Sequence, residues 1–186
     1  MASGELPRIA ITGGIAEGKT TVLGYLREMG IPTASADDVA AEVFADKATQ
    51  ARIAEIAELS MPLDRARLRA RIAADPFARR NLNRLLHPLI LDRLRKESAH
   101  FFEVPLLVET CLQREFDEIW VVTCGRAEQR RRLAERLGSE LEVDAALSTQ
   151  LPTEVKLCFA DVVLRTNQAE PTVKANVAEH IHRIFR

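Results

Sequence analysis

Residues 13–20 read Gly-Gly-Ile-Ala-Glu-Gly-Lys-Thr and follow the apolar run Ile9, Ala10, Ile11. A glycine, four residues, then Gly-Lys-Thr is the spacing of a phosphate-binding P-loop, and each part has a physical task. Glycines let backbone N–H groups turn toward phosphate oxygens where a Cβ would clash. Lys19 can reach the β- and γ-phosphates, and the Thr20 hydroxyl can ligate Mg²⁺. Residues 19–29 have helical composition, so a positive helix dipole would face the same anion. Strand, loop and helix in this order point to a working nucleotide site. The bland alternative is a loop that keeps the shape without the chemistry.

Asp37 comes next. At the end of the strand after the P-loop helix, its carboxylate can face the γ-phosphate, taking a proton from a substrate hydroxyl or holding water on Mg²⁺. The spacing equally allows Asp37 or Asp38 to be a helix N-cap. Arg132 and Arg136 lie four apart on one helix face, where they could close as cations on a transferring phosphoryl group. Arg130 and Arg131 read better as a solvated face. The arginines at 65, 67, 69 and 71 spread around their helix, and one or two of them could meet an anionic substrate. His87, before Pro88 in an apolar helical stretch, reads as a core or capping residue. Residues 103–109, Glu-Val-Pro-Leu-Leu-Val-Glu, read as a strand end entering a loop; their carboxylates could stand behind a metal ion or lie on the surface.

These residues need elements to hold them. Short β-rich runs alternate with helical segments, the pattern of an α/β fold around a parallel sheet. Strands are expected at 8–12, 33–36, 101–104, 118–123 and 160–164. Helices are expected at 19–29, 38–45, 48–59, 127–137, 142–148, 153–159 and 172–185. A long Arg-rich helical stretch at 63–98 should break near Asp75-Pro76 and again near His87-Pro88.

The chain has 186 residues, enough for one domain with its own core. A formal net charge of −1 gives no global attraction to nucleic acid or to an anionic membrane. No apolar run approaches a membrane span, and the N-terminus lacks the apolar stretch of a secretory signal, so the cytoplasm is the expected location. Cys111, Cys124 and Cys158 form no Cys-x-x-Cys pair and read as free, mostly buried thiols. His180 and His182 would face different sides of a helix, so no histidine metal site is expected.

Taken together, the segments resemble the dephospho-coenzyme A kinases over nearly the whole chain. The resemblance is carried by Thr12, Gly13, Gly14 and Ile15 with Gly18, Lys19, Thr20 and Thr21, then by Ala36-Asp37-Asp38-Val39-Ala40. It continues through Leu63-Asp64-Arg65, Leu85-Leu86-His87-Pro88 and Val104-Pro105-Leu106-Leu107-Val108-Glu109. Gln129, Arg132 and Arg136, then Gln150, Lys156, Ala160-Asp161 and Asn167, complete it. The resemblance implies a P-loop NTPase-type sheet flanked by helices, with a core at about 6–45 and 100–186. A helical substrate-binding subdomain would span about 46–99 and a lid about 130–158. It implies transfer of the γ-phosphoryl of ATP to the ribose 3′-hydroxyl of dephospho-coenzyme A, with Mg²⁺, in the last step of coenzyme A biosynthesis. Lys19, Asp37 and Arg136 would be catalytic. Residues 13–21 (Ala16 and Glu17 among them), Arg132 and Asn167 would hold ATP. Asp37, Arg65, His87, Pro105 and Leu106 would meet the acceptor. ATP and dephospho-coenzyme A are the expected partners, without nucleic acid or membrane, and the expected state is a monomer.

Three departures from the family pattern stand out. Ala16 and Glu17 replace the usual Gly-Ser, and Ser35 replaces the first aspartate of an Asp-Ala-Asp segment. Ala16 costs stability if its φ must be positive. Glu17 beside a phosphate would repel it by about 3 kcal/mol at ~6 Å and an effective dielectric constant of 20, and much less if the side chain points into solvent, which is the expectation. Two other readings stay open: a P-loop kinase for another small alcohol, and a non-catalytic nucleotide-binding regulator on the same fold. Ser35, Ala16 and Glu17 favour the regulator; retention of Lys19, Thr20, Asp37 and Arg136 opposes it.

Overall fold

The computed structural model describes residues 6–185. Five parallel strands form one sheet: β1 (Ile9–Thr12), β2 (Thr33–Ser35), β3 (Phe101–Glu103), β4 (Glu118–Thr123) and β5 (Val162–Arg165), in the order β2-β3-β1-β4-β5. Ile9 lies opposite Phe101 on one side and Glu118 on the other. β1 is therefore central and wholly buried, which is why its residues are apolar without alternation.

Parallel strands need crossovers, and helices supply them. They are α1 (Lys19–Glu28), α2 (Ala36–Ala45), α3 (Lys47–Ala57), α4 (Arg65–Ala74), α5 (Pro76–Arg95), α6 (Arg126–Leu137), α7 (Glu140–Ser148), α8 (Thr153–Leu157) and α9 (Glu170–Ile184). The described residues divide into two compact units. One holds the sheet with α1 and α6 to α9; the other is the helical segment Ala36–Glu97. The sheet unit's core joins Ile9, Ile11, Leu23, Trp120, Val122 and Val177, with Phe101 edge-on to Trp120. The helical unit has its own core of Ile53, Ala57, Leu68, Leu82 and Leu85. α2 packs on α5 and α3, so the division falls after Ser35, ten residues before the boundary drawn from sequence.

Asp75 closes α4 and caps α5, accepting hydrogen bonds from the N–H groups of Phe77 and Ala78. The break expected there is present. The break expected at His87-Pro88 is not: α5 runs through Pro88. Pro88 removes one ladder donor, and the apolar face carrying Leu82, Leu85 and Leu94 holds the helix across the gap. β5 begins two residues later than expected because Asp161 is occupied at its start, its carboxylate accepting the Ile119 N–H at 2.8 Å. The thiol expectation also changes: all three cysteines are free, but only Cys124 is buried, while Cys111 and Cys158 are exposed.

Candidate active site

β1 ends at Thr12 and the chain turns immediately into the loop. Gly13 is required by close approach as much as by any ligand, since a Cβ there would sit 2.3 Å from the Val122 carbonyl oxygen. At Gly14 a Cβ would meet Gln129 Nε2 at 2.5 Å and Thr153 Oγ1 at 2.9 Å. Ala16 adopts φ 61°, the left-handed region a side chain disfavours, as its place in the loop predicts. Lys19 folds back along the loop, its Nζ donating to the carbonyls of Gly13 (3.0 Å) and Gly14 (2.7 Å). The amides of Ile15, Ala16, Gly18 and Thr20 make no hydrogen bond among the described residues. Unfilled donors beside a lysine and a helix N-terminus form an anion cradle. Thr20 is exposed, and its hydroxyl makes no hydrogen bond among the described residues, which fits a Mg²⁺ ligand. Thr21 is exposed beside it, its N–H turned to the Gly18 carbonyl.

Glu17 departs from expectation. Its side chain is not in solvent but 1 % exposed. Oε2 accepts the Gly14 N–H at 2.7 Å and the Thr153 hydroxyl at 2.6 Å, and Oε1 accepts the Thr123 hydroxyl at 3.1 Å. The physical reason is that the loop offers an amide and two hydroxyls on its inner side, enough donors to hold a carboxylate out of water. Sequence spacing gave no sign of this, because Thr123 and Thr153 are distant in the chain.

α6 braces the loop from outside. Gln129, nearly buried, donates through Nε2 to the Ile15 carbonyl at 2.9 Å. Arg132 donates to the Thr166 carbonyl at 2.8 Å and reaches the Ala16 carbonyl at 3.4 Å. Its Nε holds Glu128, whose carboxyl is pulled down to about 2 by hydrogen bonds from Arg131 and then Arg132. Arg132 is thus tied to the Ala16 carbonyl of the loop and to the Thr166 carbonyl after β5. Arg136, one turn on, is exposed and makes no ion pair among the described residues. Arg130 is not simply solvated, since it bridges Glu140 and Asp144 on α7 at 2.5 and 2.7 Å. Arg131 pairs with Glu128 and Glu135. Asn167 is exposed directly after Thr166.

The Pro105 carbonyl accepts from Lys156 Nζ at 2.6 Å, so this residue is engaged through its backbone, while Leu106 is exposed beside it. Lys156 is wholly buried and also pairs with Glu109 at 3.0 Å. Burial alone would raise the Glu109 carboxyl; its own N–H, Lys156 and the Leu151 N–H outweigh that and hold it below the ordinary range. A cavity of about 340 Å³ lies along the loop, lined by Gly14, Ile15, Arg126, Gln129, Gln150 and Thr153.

In the helical unit, Asp37 occupies the first turn of α2, exposed and without a hydrogen bond among the described residues, so it does not cap that helix. Arg65 stacks over Phe44, 4.9 Å from the ring centroid, and with it lines a cavity of about 250 Å³. His87 is half-buried on α5 with no polar partner among the described residues.

The family model for dephospho-CoA kinase (CoaE) matches residues 8–171, from β1 into α9. The chain belongs to the dephospho-CoA kinase family. A dephospho-CoA kinase of Anaeromyxobacter dehalogenans is 39 % identical, with 93 % of this chain and 89 % of that protein covered. One of Shouchella clausii is 34 % identical, with 86 % and 89 % covered. Among solved structures, TT1252 from Thermus thermophilus superposes with a TM-score of 0.79 at 28 % identity, covering 97 % of this chain and 99 % of that one. A shikimate kinase from Bacteroides thetaiotaomicron, at 14 % identity, 97 % and 99 % coverage and a TM-score of 0.54, shares the fold alone. The family is one of ATP-dependent kinases, and both the P-loop and the parallel sheet expected from sequence are those of such kinases.

Proposed function

We propose that the chain phosphorylates the ribose 3′-hydroxyl of dephospho-coenzyme A with ATP, the cradle of Gly13 to Thr20 holding the donor. The observation that carries this reading is the set of unfilled loop amides beside Lys19 in a chain of this family. Lys19 binds the β- and γ-phosphates once it leaves its loop carbonyls. Thr20 would hold Mg²⁺, which would supply positive charge beside the transferring group. Asp37 orients the 3′-hydroxyl and takes its proton, and Arg136, exposed and without an ion pair among the described residues, closes on the phosphates. Arg132 keeps the loop in shape from behind. Arg65, His87, Pro105 and Leu106 serve the acceptor, and residues 130–158 act as the lid. The free thiols suit the cytoplasm, and among the described residues no helix is long and apolar enough to cross a membrane.

The test is a mass-spectrometric assay of purified protein with ATP, Mg²⁺ and dephospho-coenzyme A. One phosphoryl group gained at the 3′-position, and lost in Lys19→Ala, is expected. Nucleotide binding without product would turn the fold to another acceptor or to regulation. Asp37→Asn should lower kcat far more than it raises KM for ATP; an equal loss in ATP binding would place Asp37 at the metal instead.

A further inference from the structure

Glu17 moves no proton or phosphoryl group in the chemistry above, and its carboxylate, held out of water by three hydrogen bonds, still sets a negative charge behind a triphosphate site. We propose that Glu17 is a positioning residue for ATP: its carboxylate fastens the phosphate loop from behind through Gly14, Thr123 and Thr153, while its charge limits how tightly the loop takes ATP. The inference rests on the reading of this loop as the ATP site.

The geometry is that of a three-way tie. Gly14 belongs to the loop, Thr123 ends β4, and Thr153 opens α8, the helix after α7. The Glu17 backbone adds a fourth link, its carbonyl accepting the Thr166 hydroxyl at 2.6 Å. Thr123 is fixed in turn by the Gly125 N–H at 3.1 Å, so the donor facing Glu17 cannot drift. The carboxylate therefore sets where Gly14 sits. The Gly14 carbonyl is one of the two oxygens that hold Lys19 Nζ, so the placement of the lysine follows. Gly14 N–H is spent on Glu17, which leaves the later amides of the loop for phosphate.

Hydrogen bonding and charge act in opposite directions on ATP, and one pair of substitutions separates them. Glu17→Gln is nearly isosteric. Its amide oxygen can accept from Gly14 and Thr153, and its NH₂ can donate to Thr123 Oγ1, so the tie survives while the charge goes. Glu17→Ala removes both. The experiment measures the equilibrium Kd of Mg·ATP by calorimetry, with KM for each substrate and the melting temperature alongside. Glu17→Gln should bind ATP several-fold more tightly than the parent, by removal of like charge. Glu17→Ala should bind it about tenfold more weakly, and Thr153→Val several-fold more weakly with recovery in Thr153→Ser. KM for dephospho-coenzyme A should stay within about twofold in all of them if only the donor loop is affected. An ATP Kd that moves in the same direction in Glu17→Gln and Glu17→Ala, or in neither, overturns the proposal and makes Glu17 a packing residue. Should Glu17→Ala fail to fold, Glu17→Gln with the Thr153 pair decides alone. Because Kd needs no acceptor, a parent protein that binds ATP but fails to phosphorylate dephospho-coenzyme A refutes the acceptor and leaves this test intact.

Discussion

Lys19 does two jobs that substitution should separate. Its Nζ binds two loop carbonyls in the protein as described, and phosphate is its proposed partner in catalysis. Lys19→Ala should therefore lose about 100-fold or more in kcat/KM, as loss of a preorganised charge does. It should also melt a few degrees lower, because a charged donor to two carbonyls contributes about 1–2 kcal/mol. Turnover within threefold of the parent would take the lysine out of the mechanism. Ala16 gives the converse case. Its φ of 61° costs a non-glycine residue about 1–2 kcal/mol, partly offset by the extra chain entropy glycine loses on folding. Ala16→Gly should raise the melting temperature by about 2 °C. A lower melting temperature would mean that the Ala16 methyl group contributes packing that outweighs the strain.

At the scale of elements, the strand end at β3 and helix α8 are joined by one buried ion pair. Lys156 on α8 holds both the Pro105 carbonyl and Glu109. One oxygen of Glu109 is buried without a hydrogen-bond partner among the described residues, so the pair depends on the ammonium for compensation. Lys156→Met should destabilise by about 3 kcal/mol, leaving a carboxylate half-stranded, and Lys156→Met with Glu109→Gln should recover part of that. The pH dependence follows from the direction of the shift. The folded Glu109 carboxyl lies below its unfolded value of about 4.3, so its stabilisation is present above that pH and lost as pH falls through the folded pKa. Lys156→Met, carrying an uncompensated carboxylate, should lose less stability on acidification from pH 7 to pH 4 than the parent does. Parallel melting curves for parent and variant across that range would refute the pairing. This tie was only partly legible in the sequence. Lys156 and Glu109 each matched the family pattern, but nothing in their spacing, 47 positions apart, said that they touch.

For the whole molecule, ligand binding and folding are linked. Mg·ATP at about 100 times its Kd should stabilise the fold by about 2.7 kcal/mol, a rise of several degrees that grows with ligand concentration. EDTA or Thr20→Val should reduce the rise, and no rise at any concentration would contradict a nucleotide site. The sequence by itself determined the class of fold and the identity of the loop, because both are local signals. Apolar runs such as residues 119–122 are buried on both faces of a parallel sheet, and Gly-Lys-Thr marks a phosphate loop wherever a strand feeds a helix. It also flagged Ala16, since backbone conformation is set within a few residues. Only the tertiary structure decided what surrounds the loop. Thr123, Thr153 and Thr166 lie more than a hundred positions from Glu17, and no periodicity carries that distance. The same limit misjudged Pro88, where packing of the α5 apolar face overrode a local breaker, and Glu17, where three distant donors turned a charge expected in solvent into a buried tie.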